Sequence, residues 1–174
     1  MSPAFLPAPR LRTDTRVRAS DERGQVIDSL QEVVLPGPLP DLRGVERAYF
    51  RWVPAVSAGF AKPRFGADPD GPLTIRVLGC LPLIRMTPAA GHPQERRART
   101  IMGGLLAHPG GELAFELEPV GGGALLRVAL RGFKPRLPGW LYWATQRQLH
   151  ERSSLAFLRE AARARGALPW RRKG

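Results

Sequence analysis

The sequence is poor in the residues that form disulfides and metal sites: its 174 residues include one cysteine, Cys80, and three histidines. A single cysteine cannot form a disulfide within the chain, so nothing in the sequence requires an oxidising compartment. His92, His108 and His150 lack the spacing of metal ligands. We therefore expect no metal and no cofactor. Because Cys80 lies in an apolar stretch, we also expect its thiol to be buried and unreactive.

Long hydrophobic runs and nucleotide-binding motifs are missing as well. No window contains the ~20 apolar residues of a membrane span, and Arg10 and Arg12 interrupt the start before a signal peptide could form. We expect a cytoplasmic protein without a membrane span. The glycines at 103–104 and 121–123 lack the spacing of a P-loop or dinucleotide fingerprint, and no serine lies in a nucleophile elbow. A kinase, dehydrogenase or hydrolase is therefore not expected.

Lysine is scarce: Lys62, Lys134 and Lys173 are the only three among 27 cationic residues, and the rest are arginines. The net charge of +12 would suit a polyanion such as RNA or an acidic membrane surface. The arginines are scattered, however, and the aromatic platform that accompanies RNA binding is missing. Nucleic acid and acidic membranes are therefore alternative partners that the sequence does not favour.

The remaining composition is that of a globular chain, with 43% hydrophobic and 24% charged residues. The length is sufficient for one domain with a real core. Loose ends rich in proline, arginine and glycine flank it. We expect a flexible N-terminal segment over residues 1–13, a single domain over 14–165 and a basic tail over 166–174.

In the first half, residues 16–20 and 25–35 are rich enough in β-branched and aliphatic residues to form strands. A helix is predicted from residue 42, with Asp41 as its N-cap, and Pro54 should break or end it. Residues 73–77 alternate as a strand. Residues 78–86 are predicted to continue that strand, and 97–106 to form another. Met86 and Met102 are expected to line the core or a cavity.

The most informative segment is the hairpin over residues 112–133. On each side of the glycine turn, three apolar residues alternate with charged or small ones: Leu113, Phe115, Leu117 and then Leu126, Val128, Leu130. A turn at the glycines places both triplets on one face. The same register puts Glu116 opposite Arg127 and Glu112 opposite Arg131 on the other face. One face is dry and the other wet, which indicates an antiparallel sheet covering something on one side.

A long helix is predicted over residues 140–165, which contain no glycine or proline. Winding it at about 100° per residue gathers an apolar side: Trp140, Trp143, Ala144, Leu155, Phe157, Leu158, Ala161, Ala162. Four polar residues nevertheless fall inside this apolar sector: Arg147, His150, Glu151, Ser154. The sequence therefore predicts a polar group on the inward face of the helix.

Two adjoining segments resemble a known superfamily. GGELAFELEPVGGGALLRVALRGF resembles the last two strands, and PRLPGWLYWATQRQLHERSSLAFLREAA the terminal helix, of START/Bet v 1/polyketide-cyclase (SRPBCC) proteins. The resemblance lies mainly over residues 110–162. It implies an α+β helix-grip fold, in which a curved antiparallel sheet wraps around a long C-terminal helix and encloses a cavity.

The resemblance implies binding or carriage of a small apolar or amphipathic ligand of lipid, polyketide or aromatic type. The alternatives are a cyclase- or dehydratase-like enzyme on the same fold, with His150 and Tyr142 or Glu151 as acid–base groups, or a basic protein that binds RNA or acidic membranes. The candidate ligand-binding residues are Arg147, His150, Glu151, Ser154, Tyr142, Trp143, Phe115 and Val128.

Each candidate also has a purely structural interpretation. Arg147 could anchor a ligand carboxylate or phosphate, but its i, i+4 spacing from Glu151 equally fits a helix-surface ion pair. A lone histidine such as His150 is more often structural than catalytic. Packing in the core explains most of the aromatic cluster around Tyr142 and Trp143.

Overall fold

A computed structural model describes residues 11–20, 24–68, 70–90, 95–138 and 147–165. In chain order, the helices and strands are β1 (Arg12–Ser20), β2 (Gly24–Pro36), α1 (Leu42–Val56), β3 (Ala61–Phe65), β4 (Leu73–Val77), β5 (Leu81–Pro88), β6 (Arg96–Gly103), β7 (Glu112–Val120), β8 (Gly123–Phe133) and α2 (Arg147–Ala164). The described part of the chain is thus an α+β structure, as the sequence predicted.

The eight strands form one open antiparallel sheet in the order β1-β2-β8-β7-β6-β5-β4-β3. Both helices pack on one face, where α1 lies against β3, β6 and β7, and α2 lies against α1 and β2. The resemblance implied that the long terminal helix would lie against the sheet, and α2 does so at β2. The structure adds α1, whose buried apolar side covers another part of the same face.

Helix α1 begins where the sequence predicted. The carboxylate of Asp41 accepts hydrogen bonds from the backbone N–H groups of Arg43 at 3.2 Å and Gly44 at 2.9 Å, which caps the first turn. Pro54 lies in the last turn of α1, which ends two residues later at Val56. Of the two outcomes predicted for Pro54, the helix therefore ends near the proline and does not break at it.

The β7–β8 hairpin has the predicted register. Phe115 pairs with Val128, and Glu116 stands opposite Arg127. The turn consists of Gly121 and Gly122 with φ of 39° and 83°, which fits a type I′ hairpin turn that other residues enter only with strain. The dry face predicted from alternation is buried in full: Leu113, Phe115, Leu117, Leu126, Val128, Leu130.

Strands β4 and β5 form a second hairpin, which was not predicted from the sequence. Residues 78–86 do not continue β4; the chain reverses at 78–80, and β5 returns antiparallel to β4. Leu78 and Gly79 both have positive φ, of 52° and 77°, which makes this reversal. Cys80 lies in the turn and is exposed, so its expected burial is wrong.

Met86 and Met102 differ in exposure. Met86 is buried, as predicted, whereas Met102 is exposed because it lies on the outward face of β6. The apolar character of a strand residue therefore does not determine the face it occupies.

Helix α2 is described from Arg147 onwards. The predicted start of the helix, with Tyr142 and Trp143, lies outside the described residues. Phe157, Leu158 and Ala162 are buried on its inward side, as the helical pattern predicted. Neither described helix combines the length and apolar character that crossing a membrane would require.

Candidate functional site

A cavity of about 110 Å³ lies between the sheet and the two helices. Helix α1 contributes Tyr49, Phe50 and Val53, and helix α2 contributes His150 and Ser153. The remaining lining residues are all apolar and come from the sheet and its loops: Ala61, Ile75, Leu83, Ile84, Met86, Ile101, Leu106, Leu113, Leu130, Phe133. The wall of the cavity is therefore apolar except where the two helices meet.

The loop after β6 forms part of this wall by approaching β5 very closely. Gly104 has a φ of 148°, and a Cβ at this position would stand 2.3 Å from the carbonyl oxygen of Leu83. Only glycine fits there without a shift of the backbone. The close approach lets the backbone N–H of Leu106 donate to Leu83 O at 3.1 Å, which fixes both residues in the lining.

His150 is the main polar feature of the cavity. Its side chain is half-buried, but its Nε2 atom is buried and has no hydrogen-bond partner among the described residues. Burial lowers the pKa of His150 to about 4, although the nearby carboxylate of Glu151 acts in the opposite direction. The imidazole is therefore neutral at pH 7.

Ser154, one turn beyond His150, has its own partner. Its hydroxyl lies 3.3 Å from the hydroxyl of Tyr49, and both side chains are buried. Burial raises the pKa of Tyr49, and the hydrogen bond with Ser154 only partly opposes this, so the phenol stays neutral. The Tyr49–Ser154 contact joins the two helices beside the cavity.

Phe115 and Val128 lie beneath that contact. Both are fully buried, and the Phe115 ring packs edge-on against Tyr49 with centroids 5.1 Å apart. Tyr49 contacts Phe157 of α2 in the same way, at 5.5 Å. These rings form the core that supports the cavity.

Arg147 and Glu151 face the β1–β2 edge of the sheet. Arg147 Nε donates to Glu151 Oε1 at 2.8 Å, and Thr15 of β1 donates to the same oxygen at 2.9 Å. Both side chains of the pair are partly exposed. The i, i+4 ion pair weighed from the sequence is thus present, while a role for Arg147 in holding a ligand stays a prediction.

Beside this pair, strand β2 turns two polar side chains inward. Ser29 and Gln31 are both buried, and the Gln31 amide donates to the Ser29 hydroxyl. The Oε1 atom of Gln31 is buried without a partner among the described residues. A polar strip therefore runs from Glu151 through Thr15 to Ser29 and Gln31.

A second buried polar group lies at the other end of α1. Glu46 and Arg99 are almost completely buried and form an ion pair. Arg99 also donates to the carbonyl of Gly71 at 2.8 Å, and Arg97 donates to Glu46 at 3.0 Å and to Asp70 at 3.1 Å. Phe50 and Phe65 lie against the Arg99 guanidinium. Every one of these charges has a partner.

The structure separates the predicted site residues. His150 lines the cavity, Ser154 joins the helices, Arg147 and Glu151 point to the sheet edge, and the two hairpin residues Phe115 and Val128 belong to the core. Tyr142 and Trp143 lie outside the described residues. The predicted polar group is therefore divided between three surroundings, not gathered around one ligand.

Several polar residues of the interior were not predicted from the sequence, among them Ser153, Tyr49 and Glu46. Ser153 lies three residues after His150 and four before Phe157, a spacing that places it on the same helical face. Tyr49 and Glu46 lie on the apolar side of α1, where the spacing of the hydrophobic residues could have revealed both. A charged residue in such a stripe signals a buried partner, but the sequence does not say which one.

Comparison with solved structures places this architecture. The solution structure of CalU16 from Micromonospora echinospora matches with a TM-score of 0.51 at 14% identity, over 91% of this chain and 78% of that chain. This chain has the helix-grip fold. The strand order with β1 and β2 beside the final hairpin, and the C-terminal helix on one face, are its features here.

Two further solved structures are similar at lower scores. TTHA0849 from Thermus thermophilus has a TM-score of 0.47 at 17% identity, over 79% of this chain and 97% of that chain. The Polyketide_cyc-like protein Cgl2372 from Corynebacterium glutamicum has a TM-score of 0.37 at 12% identity, over 79% and 90%. No family model and no curated protein matches the chain. The likeness therefore concerns the fold alone.

Proposed function

We propose that this helix-grip protein binds a small, mostly apolar molecule that carries one hydrogen-bonding group. The observation that carries the proposal is the buried Nε2 of His150, which has no partner among the described residues, beside a cavity whose wall is apolar except where the two helices meet. A buried polar atom without a partner costs about 1–3 kcal/mol. A ligand that hydrogen-bonds to it recovers that energy while its apolar body fills the cavity.

The size of the cavity narrows the ligand class. Sites for drug-sized ligands have volumes of ~300–1,000 Å³, whereas an engineered apolar cavity of about 150 Å³ binds benzene. The 110 Å³ observed here suits a single ring or a compact branched group. Of the lipid, polyketide and aromatic ligands expected from the sequence, we therefore favour a small aromatic molecule.

The chemistry of the polar group follows from the neutral imidazole. Nε2 donates or accepts a hydrogen bond, depending on the tautomer. A hydroxyl serves both cases, because it is a donor and an acceptor at once. The ligand that fits best is accordingly phenol-like, with its hydroxyl towards His150 and Ser153 and its ring among the apolar side chains of the sheet.

Binding is proposed over turnover because of the groups around the cavity. Acid–base catalysis requires a titratable group matched to the working pH. Of the described lining residues that titrate, Tyr49 has a raised pKa and His150 a pKa of about 4, so neither is matched to a neutral pH.

The ligand-binding roles predicted for the other candidates remain secondary proposals: Arg147, Glu151, Ser154, Tyr142, Trp143.

The test compares phenol with toluene, two ligands of one shape that differ in the hydroxyl. We expect the full chain to bind both, and His150→Leu to lower the ratio of phenol to toluene affinity about tenfold, since a net hydrogen bond contributes roughly 0.5–1.5 kcal/mol. Chemical-shift titration by NMR measures both affinities.

The matched control is Arg152→Leu, which removes an exposed side chain from the same helix and should leave the ratio unchanged. The proposal fails if neither molecule binds, or if the ratio is the same in wild type and His150→Leu. Native mass spectrometry of freshly purified protein adds an independent measurement, because a bound aromatic compound would appear as a fixed mass increment.

A further inference from the structure

Four large hydrophobic side chains are exposed at one corner of the sheet, which we call the apolar corner: Phe60, Leu78, Leu81, Leu105. Phe60 is 64% and Leu78 73% exposed. Single exposed hydrophobic residues are ordinary on protein surfaces, whereas a group of them marks a contact surface.

Strand pairing brings these residues together. Val77, the last residue of β4, pairs with Ala61 at the start of β3 and with Leu81 at the start of β5. Phe60, just before β3, therefore lies beside Leu78 in the β4–β5 turn, and Leu81 begins β5. The backbone N–H of Leu105 donates to Pro82 O at 3.0 Å, which adds the loop after β6 to the same corner.

The backbone at Leu78 strengthens the argument. Its φ of 52° lies in the left-handed region, which a leucine enters only at a cost. Glycine or asparagine would be the usual choice for this turn position. No burial of the side chain compensates for the strain, because Leu78 is the most exposed large hydrophobic residue described. The residue therefore serves something other than the fold.

Four exposed cations lie on the outward face of β3, β4 and β5, next to the apolar corner; we call them the cationic face: Lys62, Arg64, Arg76, Arg85. Lys62 stands directly opposite Arg76, and such like-charge pairs across strands are destabilising. None of the four takes part in an ion pair with the described residues. An external anion would neutralise them.

The apolar corner also adjoins the cavity. Ala61 and Leu106 line the cavity and directly follow Phe60 and Leu105 in the chain. The apolar corner and the cavity therefore lie at the same end of the sheet.

We propose that the apolar corner and the cationic face together dock on an anionic lipid surface. The apolar side chains enter the boundary between headgroups and acyl chains, and the cations lie among the lipid phosphates. A second copy of this chain is a poorer partner, because two cationic faces would repel each other. RNA would engage the cations but would leave the aliphatic tips Leu78, Leu81 and Leu105 without a role.

The experiment measures sedimentation of the full chain with vesicles of phosphatidylcholine alone and of equal parts phosphatidylcholine and phosphatidylglycerol. We expect binding to the anionic vesicles only. Lys62→Gln/Arg76→Gln should weaken it about thirtyfold, from two lost contacts with the charged surface. Phe60→Ser/Leu78→Asn should weaken it to a similar degree, and asparagine retains the left-handed turn.

The matched control is Arg152→Gln/Arg159→Gln, which removes the same charge from exposed positions on α2 and should bind like wild type. The proposal is overturned if this control loses as much as the cationic-face variant, or if neutral vesicles bind equally well. It is overturned in favour of RNA if polyuridylate binding depends on Lys62 and Arg76 while vesicle binding does not.

Light scattering tests the remaining partner: a wild-type dimer that Phe60→Ser/Leu78→Asn dissociates would also overturn the proposal. Phenol binding is measured without vesicles, so failure of lipid docking and failure of the cavity proposal are separate results.

Discussion

Two sites in the interior of the described structure hold charged or titratable groups, and the two are built differently. At one end of α1, the buried charges of Glu46 and Arg99 meet each other, and Arg97 and a backbone carbonyl complete the group. At the cavity, the ring nitrogen of His150 is buried with no partner among the described residues. The first group is closed within the fold, whereas the second remains open.

The difference shows how a function can be read from buried polarity. A buried polar group that has its partners contributes to a unique packing and needs nothing further. A buried group without partners is a cost that the fold carries for another reason, and a ligand is one such reason. The distinction between Glu46 and His150 that matters here lies in their partners: the Glu46 carboxylate has them, and the buried Nε2 of His150 has none among the described residues.

The largest expected effect on stability comes from removing one partner of the Glu46–Arg99 ion pair. Glu46→Leu leaves the Arg99 guanidinium buried without its carboxylate, which should cost about 3–5 kcal/mol of unfolding free energy. Urea unfolding measures the loss. The double variant Glu46→Leu/Arg99→Met removes both charges and should recover most of it. A single variant that loses less than about 1 kcal/mol would show that the Arg99 charge does not depend on Glu46.

A smaller effect on stability is expected from protonating His150. Since the pKa of His150 is about 4 in the folded chain and ~6.5 when unfolded, the unfolded state binds more protons between these values, so stability falls as the pH falls. Between pH 7 and pH 5 the loss attributable to His150 should be about 2 kcal/mol. It is measured as the difference between wild type and His150→Leu, in which the titration of all other groups cancels.

Above pH 7, the two proteins should show parallel pH dependence, because His150 is then neutral in both the folded and unfolded states. If the unfolding free energies of wild type and His150→Leu changed in parallel from pH 7 down to pH 5, the imidazole would not be buried as described. The contrast between His150 and the Glu46–Arg99 group would then be lost.

The smallest effect is expected at the partly exposed Arg147–Glu151 pair of α2. This pair is less buried than the Glu46–Arg99 group, and unlike the Nε2 of His150 its charges have partners. Arg147→Met should change stability by less than about 1 kcal/mol, as for other exposed i, i+4 pairs. If Arg147 also holds an acidic ligand, the variant should weaken binding of benzoate and leave binding of phenol unchanged. Equal effects on both ligands, or none, would assign Arg147 to the helix alone.

Local alternation made the hairpin predictable in detail. The register that pairs Phe115 with Val128 follows from a two-residue repeat on each side of a glycine turn, and a slip by one residue would expose the whole apolar face. The ion pairs of that hairpin were less predictable. Arg131 binds Glu116 at 2.8 Å as well as its direct partner Glu112 at 3.3 Å, because its long side chain reaches along the strand past the small Ala114.

Those contacts have an electrostatic consequence on the outward face. Burial alone would raise the pKa of Glu116, but the hydrogen bonds from Arg131 and Arg96 outweigh it and hold the pKa below the usual value. Arg96 comes from β6, a strand that hairpin patterning alone does not place next to β7. The partner could be assigned only once the sheet order was known.

The sequence by itself determined the dry face of the hairpin, the capped start of α1, the apolar side of α2 and, through resemblance, the helix-grip fold. These features depend on periodicity and on neighbours close in the chain. The tertiary structure alone decided that α1 would share the face of the sheet with α2, that His150 would line a cavity while Arg147 met Glu151 and Thr15, and that Cys80 and Met102 would be exposed. The physical reason is that a side chain's partner depends on contacts between segments distant in sequence, which a local pattern does not encode.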